Sequence, residues 1–195
     1  MSACHRDKRK TDGLSPETLS FPQSTSYSMF RPMRRIKQQL SEEETKAVLE
    51  KGTSGVLALS GDEGYPYAVP LSYVYDGNRL IFHGALTGHK IDAINRCDKA
   101  SFCVVEKDEI IPDEYTTYFR SVIAFGHMKI LDRNEAREAA KLLGAKYRPG
   151  FAEELAATVE RNLDKMAIFA LEIEHLTGKE AIELVRAKKE ENAAL

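Results

Sequence analysis

Hydrophobic positions follow three regimes along the 195-residue chain. Residues 1–28 hold almost no periodic apolar positions and are rich in Ser, Thr, Pro and charge. Such a stretch cannot bury enough surface to offset the entropy of ordering, so a flexible arm is expected ahead of a domain spanning 29–195, with Met29 or Met33 as an alternative start. "SEEETKAVLEKG" then carries a helical pattern, opened by Ser41 with Glu44 three residues on, a capping box, and closed at Gly52. From Gly55 the period becomes two. "GVLALS", "YPYAVPLSYVY" and "RLIFHG" read as three strands joined by "GDEG" and "DGN" turns, an antiparallel meander.

A short helix from about Gly88 to Cys97 interrupts the strands. "ASFCVV" follows as a strand, "EKDEIIPDEYTT" as a loop, and "YFRSVIAFGHMKIL" as a long strand. Two helices, "RNEAREAAKLLGAKY" and "FAEELAATVERNLDK", flank "RPG". "MAIFALEIEHL" is the sixth strand and "GKEAIELVRAKKEE" a charged terminal helix. Six mostly antiparallel strands with flanking helices predict a mainly β (α+β) domain closed as a small barrel, because closure removes exposed edges.

Two features stand out against that background. Pro70, inside "YAVPLSY", can donate no ladder hydrogen bond, which places its strand at an edge or at a bulge. The same interruption would leave backbone groups of Val69, Leu71 and Ser72 free for the polar rim of a flat heteroaromatic ligand. The second feature is "LTGHKIDAI", which puts His89 and Lys90 in the first turn of a helix, where the macrodipole disfavours cations. Either both side chains point into solvent, or an anion sits there. With Thr87 as N-cap, the amides of Gly88, His89 and Lys90 would converge with the Lys90 ammonium on a volume that suits a phosphate.

Bulk properties exclude several classes. The net charge is −2, so no global field attracts nucleic acid or an anionic membrane. No apolar run is long enough to span a bilayer and the N-terminus lacks a signal-peptide core, which makes the cytoplasm the expected location. Cys4, Cys97 and Cys103 lack paired ligand spacing, so reduced thiols and no metal site are expected. His127 and His175 each occupy one strand position among apolar neighbours and read as structural.

The succession "GYPYAVPLSYVYDGNRLIFHGALTGHKIDAINR", then "TTYFRSVIAFGHMKIL" and "KYRPGF", resembles the pyridoxamine 5′-phosphate oxidase-related FMN-binding split-barrel family, nearest its nitroimidazole-resistance branch. The resemblance runs from about Met33 to Lys179. It implies a six-stranded antiparallel split β-barrel that dimerises and holds FMN in two clefts between subunits. It makes Pro70, Leu71 and Ser72 contacts of the isoalloxazine ring, His83, Gly84 and Ala85 neighbours of the cofactor, and Lys90 the phosphate cation. His89 resembles a histidine beside the flavin, where it could supply a charge or a proton near pH 7. Tyr118 and Ser121 would complete the site, and Lys179 in "HLTGKE" would approach the ring.

One departure limits the analogy. The oxidases that give the family its name recognise substrate phosphate with a C-terminal basic and aromatic set, whereas this chain ends in "EAIELVRAKKEENAAL", so vitamin B6 oxidation is not expected. Two functions remain: an oxidoreductase that passes electrons through FMN to a small acceptor, such as a nitroaromatic, or a non-catalytic flavin, haem or deazaflavin binding module. For either, Val122, Ile123, Ala124 and Phe125 are apolar on both faces of one strand, so the outward face, whether at Val122 or Ile123, needs a cover: flanking helices, or the partner barrel of the homodimer that the resemblance favours.

Overall fold

A computed structural model describes residues 30–194, so the predicted arm and Cys4 lie outside the described residues. Seven strands form one antiparallel sheet: β1 Ser54–Ser60, β2 Pro66–Ser72, β3 Val74–Tyr75, β4 Arg79–Gly84, β5 Lys99–Ile111, β6 Thr116–Ile130 and β7 Ala167–Glu180. Their order is β2-β1-β5-β6-β7-β4-β3. The two ends of the sheet are thus neighbours in sequence, and the chain itself closes the barrel as it runs from β2 to β3. Five helices flank it: α1 Glu42–Lys51, α2 His89–Arg96, α3 Arg133–Tyr147, α4 Ala152–Asn162 and α5 Ile182–Ala193.

Seven strands replace the expected six because "YPYAVPLSYVY" breaks at Tyr73. Its first half pairs with β1 and its second with β4. The alternating pattern runs through the break unaltered, since Tyr73 points into the core with no exposed surface. Its hydroxyl donates to the Leu49 carbonyl at 2.8 Å, and burial pushes its pKa well up. Pro70 does lie on an edge strand, as β2 pairs on one side only.

The segment expected as a loop is a hairpin arm. β5 continues to Ile111 and β6 begins at Thr116, with only a 3-10 turn, Pro112–Glu114, and Tyr115 at φ 51° between them. Charged residues from Glu106 to Glu109 hide this strand from a hydrophobic pattern, while its pairing with residues 116–120 fixes it. Likewise Gly178–Glu180 belong to β7, paired with Arg120–Val122, and the last helix starts only at Ile182.

The α1 capping box is present, with Ser41 accepting from the Glu44 amide at 3.1 Å and Glu44 accepting from the Ser41 amide at 2.9 Å. Leu57, Phe82, Phe102, Val104, Val122 and Phe169 fill the barrel at 0–1% exposure. A second cluster, Ile81, Leu131, Ala139 and Ile168 among others, packs α3 and α4 onto the outer face of β4 and β7. Among the described residues no helix is long and apolar enough to cross a membrane, and no group of side chains could hold a metal ion. Cys97 and Cys103 are both thiols.

Candidate functional site

The suspect helix start does present uncapped amides beside a cation, although not with the expected cap. Gly88, not Thr87, is the N-cap of α2, at φ 115° and ψ 174°. That backbone conformation strongly favours glycine, which explains why the polar Thr87 side chain does not take the position. No side chain caps the first turn, so its amides have no side-chain acceptor. The Lys90 ammonium folds back over the end of β4. A Cβ placed on Gly84 would lie 2.9 Å from Lys90 Nζ, which sits 5.3 Å from the Phe169 ring centre. Among the described residues no carboxylate pairs with Lys90, and burial alone pushes its pKa down. A half-buried, unpaired cation beside an uncapped helix start is electrostatically incomplete without an anion.

His89 leaves the same turn in another direction. Its ring stacks on Tyr67 of β2 with centroids 4.0 Å apart, and Nε2 lies 3.5 Å from the Asp62 carboxylate. Asp62 also accepts from Arg96 at 2.9 Å, so the histidine joins an exposed network at the open edge of β2. We expect His89→Ala to leave the fold intact and to lower electron-transfer turnover more than flavin affinity, read by steady-state kinetics beside a binding titration. Unchanged turnover would reduce His89 to a structural neighbour.

The remaining expected residues form three groups. Along β2, Val69 and Leu71 turn inward against the core, while Pro70 and Ser72 face out. The backbone edge beyond them has no strand partner, as the Pro70 argument anticipated. Ser72 and His83 together line a cavity of about 450 Å³ whose other walls are mainly apolar, chiefly Leu143, Leu155, Val159 and Ile168, with Thr158 and Asn162 among them. His83 thus leaves β4 on the face opposite Gly84. Ala85 and Thr87 are exposed in the connection from β4 to α2.

Tyr147, from the "KYRPGF" stretch, clamps the β2–β3 break. Its hydroxyl accepts from the Tyr73 amide at 3.0 Å and has the Tyr73 and Thr53 carbonyls within reach as alternative acceptors for its single proton. The Lys146 ammonium, beside it, lies 4.4 Å from the Tyr73 ring centre and donates to the Gly52 carbonyl. Sequence reasoning missed this clamp and the Tyr67–His89–Asp62 contact, because neither partner is near the other in sequence.

The third group, Tyr118, Ser121 and Lys179, lies elsewhere. Ser121 is directly opposite Lys179 on β6 and β7, and Tyr118 donates to Glu114 at 3.0 Å in the hairpin arm. β4 meets β7 at its other end, with Gly84 opposite Ala167. Twelve residue steps separate Ala167 from Lys179, or about 40 Å of strand at 3.3 Å per residue. A single chain does not bring Lys90 and Lys179 to one ligand.

A family model described as pyridoxamine 5′-phosphate oxidase matches residues 41–180. The chain belongs to that family. Among solved structures, an FAD-binding protein from Mesorhizobium loti is 26% identical, covering 74% of this chain and 97% of its own at a TM-score of 0.52. An FAD and haem binding protein from Mycobacterium smegmatis is 24% identical over 74% and 73%, with a TM-score of 0.65. A candidate 5-nitroimidazole antibiotic resistance protein from Bacteroides thetaiotaomicron shares the fold at 16% identity, over 73% and 86%, with a TM-score of 0.60. No curated protein matches the sequence closely enough to count as a relative. The split-barrel fold of the pyridoxamine 5′-phosphate oxidase family is therefore this chain's fold, with the seventh strand created by the break at Tyr73.

Proposed function

We propose that the chain is a flavin-binding protein, with FMN as its cofactor, that passes electrons to a small acceptor such as a nitroaromatic. One observation carries the reading: the unpaired, half-buried Lys90 at the uncapped start of α2. The cradle fits a phosphate monoester, as Gly84 leaves room for the lysine arm and Gly88 for close backbone approach. The flavin ring would extend toward β2, whose open edge at Val69–Ser72 offers backbone donors and acceptors to its polar rim. A bound flavin supplies the redox chemistry, from reduced nicotinamide or another donor to the acceptor, while the protein supplies position and electrostatics. Lys90 and the first-turn amides would hold the phosphate, and His89, exposed with Nε2 3.5 Å from the Asp62 carboxylate, would stand beside the ring.

The reading extends to a homodimer in the cytoplasm, with Tyr118, Ser121 and Lys179 supplied by the second copy. Their separation from Lys90 along β7 supports this, as does an outward face that no helix covers among the described residues. Its central row, Pro70, Val56, Cys103, Ile123 and Thr177, crosses five strands in register.

A haem-binding role has one observation of its own, His83 in the lining of the mainly apolar cavity, where its imidazole could ligate an iron. The visible spectrum of the purified protein separates the two. Flavin bands released by heat denaturation as FMN are expected. A Soret band with no flavin would overturn the proposal in favour of haem.

A further inference from the structure

Residues 30–40, "FRPMRRIKQQL", hold four cations and no acid in a chain whose net charge is −2. The segment is fixed against β7. The Leu40 amide donates to the Gly178 carbonyl at 3.0 Å, Gln39 bridges Lys179, and the buried Gln38 amide donates to the Glu180 carbonyl at 3.1 Å. This seam brings Met33, Arg34 and Arg35 around Lys179, and the four line a cavity of about 430 Å³. Arg35 reaches only the neutral Gln38, at 3.5 Å, and Lys179 sits 5.1 Å from the Phe119 ring centre. Among the described residues no carboxylate pairs with Arg34, Arg35 or Lys179.

The nearest acid in sequence cannot neutralise them. Glu180 is 3% exposed, and its carboxylate is already taken by Arg120 at 2.9 Å and Lys188 at 2.7 Å. Three cations facing one concavity, with the local carboxylate otherwise engaged, produce a focused positive potential. Two of them are guanidinium groups, whose forked donors match phosphate oxygens.

We propose that Arg34, Arg35 and Lys179 form a second anion site that binds the phosphate groups of a nucleotide. The source would be either the adenylate half of a dinucleotide flavin or a nicotinamide dinucleotide donor. The inference rests on the flavoprotein reading for that choice of nucleotide, and on the three charges alone for phosphate binding. Within one chain it lies at the opposite end of β7 from Lys90, and in the proposed dimer the second copy's three cations would stand beside the first copy's Lys90, where an adenylate could continue from the flavin phosphate.

Calorimetry on the full chain, stripped of cofactor, tests it with pyrophosphate, ADP, FAD and NADPH, and with adenosine as the uncharged control. Pyrophosphate and ADP should bind and adenosine should not. The double variant Arg34→Gln/Arg35→Gln should weaken ADP by at least about tenfold, as expected for lost charge-assisted contacts. Lys90→Ala should leave ADP affinity unchanged while FMN affinity falls. Both arginines are exposed, and an unchanged circular dichroism melt would exclude unfolding. Whichever of FAD and NADPH loses affinity in the double variant identifies the source. No binding of pyrophosphate or ADP to the wild type would overturn the proposal, as would equal affinity in wild type and double variant. Loss of ADP binding in Lys90→Ala alone would also overturn it, by placing the phosphate in the α2 cradle. If FMN fails to bind while ADP binds through the arginines, the flavin reading falls and the anion site stands.

Discussion

Replacing Ile123 with glutamate is expected to split the proposed dimer and to release the proposed flavin with it. The sequence left open whether Val122 or Ile123 faces outward and whether helices cover that face. Val122 is wholly buried in the barrel core, so it is no surface position and a charge there should unfold the protein. Ile123 is 37% exposed, with Val56 at 41% and Val105 at 59% on the same face. Phe30 closes only one margin, stacked on His175 at 4.5 Å and tilted against Phe125 at 5.6 Å. An apolar row of this kind in register across adjacent strands is the flat, low-entropy surface that a second copy would bury.

A carboxylate introduced in the middle of such an interface would lack a partner, at a cost of several kcal/mol. In the isolated chain the same carboxylate would reach water, so the fold should survive. Size-exclusion chromatography with light scattering and flavin absorbance reads both properties in one run. The wild type should elute as a flavin-loaded dimer and Ile123→Glu as a colourless monomer. A variant monomer that retains stoichiometric flavin would show the site to be complete in one chain, and so would a wild-type flavin-loaded monomer.

Local signals in the sequence held where geometry is local. The capping box at Ser41, the edge position of Pro70 and the helix after Gly88 all depend on contacts within a few residues. The failures are contacts between distant segments. Tyr73 reads as one more alternating aromatic, and only its bond to Leu49 and the Tyr147 clamp show that the strand changes partners there. Residues 106–115 read as a loop because charge masks their alternation, and pairing with β6 overrides composition. Thr87 lost the cap to Gly88 because the approach to α2 requires positive φ, which no periodicity records. The resemblance placed Lys90, His83 and Lys179 about a cofactor shared between two subunits. In one chain they lie at the start of α2, in the α3–α4 cavity and at the far end of β7, and Arg34 and Arg35 carry no motif beyond their charge.

Lys90→Ala is expected to weaken FMN by about 1.5–3 kcal/mol, the range for a charge-assisted hydrogen bond, and to leave riboflavin nearly unaffected. The asymmetry follows from the geometry. Nζ is held over Gly84 and the Phe169 ring, beside the start of α2, so in the proposed pose it would meet the phosphate rather than a ring lying along β2. Burial already depresses the Lys90 pKa in the absence of any counter-charge, so part of the cost of desolvating this cation is present before a ligand arrives. A phosphate would then restore the charged form, and binding should take up protons at high pH, near the lowered lysine pKa. Titrations of FMN and riboflavin in two buffers of different ionisation enthalpy measure affinity and proton uptake together. Equal losses for both flavins in Lys90→Ala would mean that the lysine supports the fold rather than the phosphate. Proton uptake that persists in the variant would assign the titrating group elsewhere.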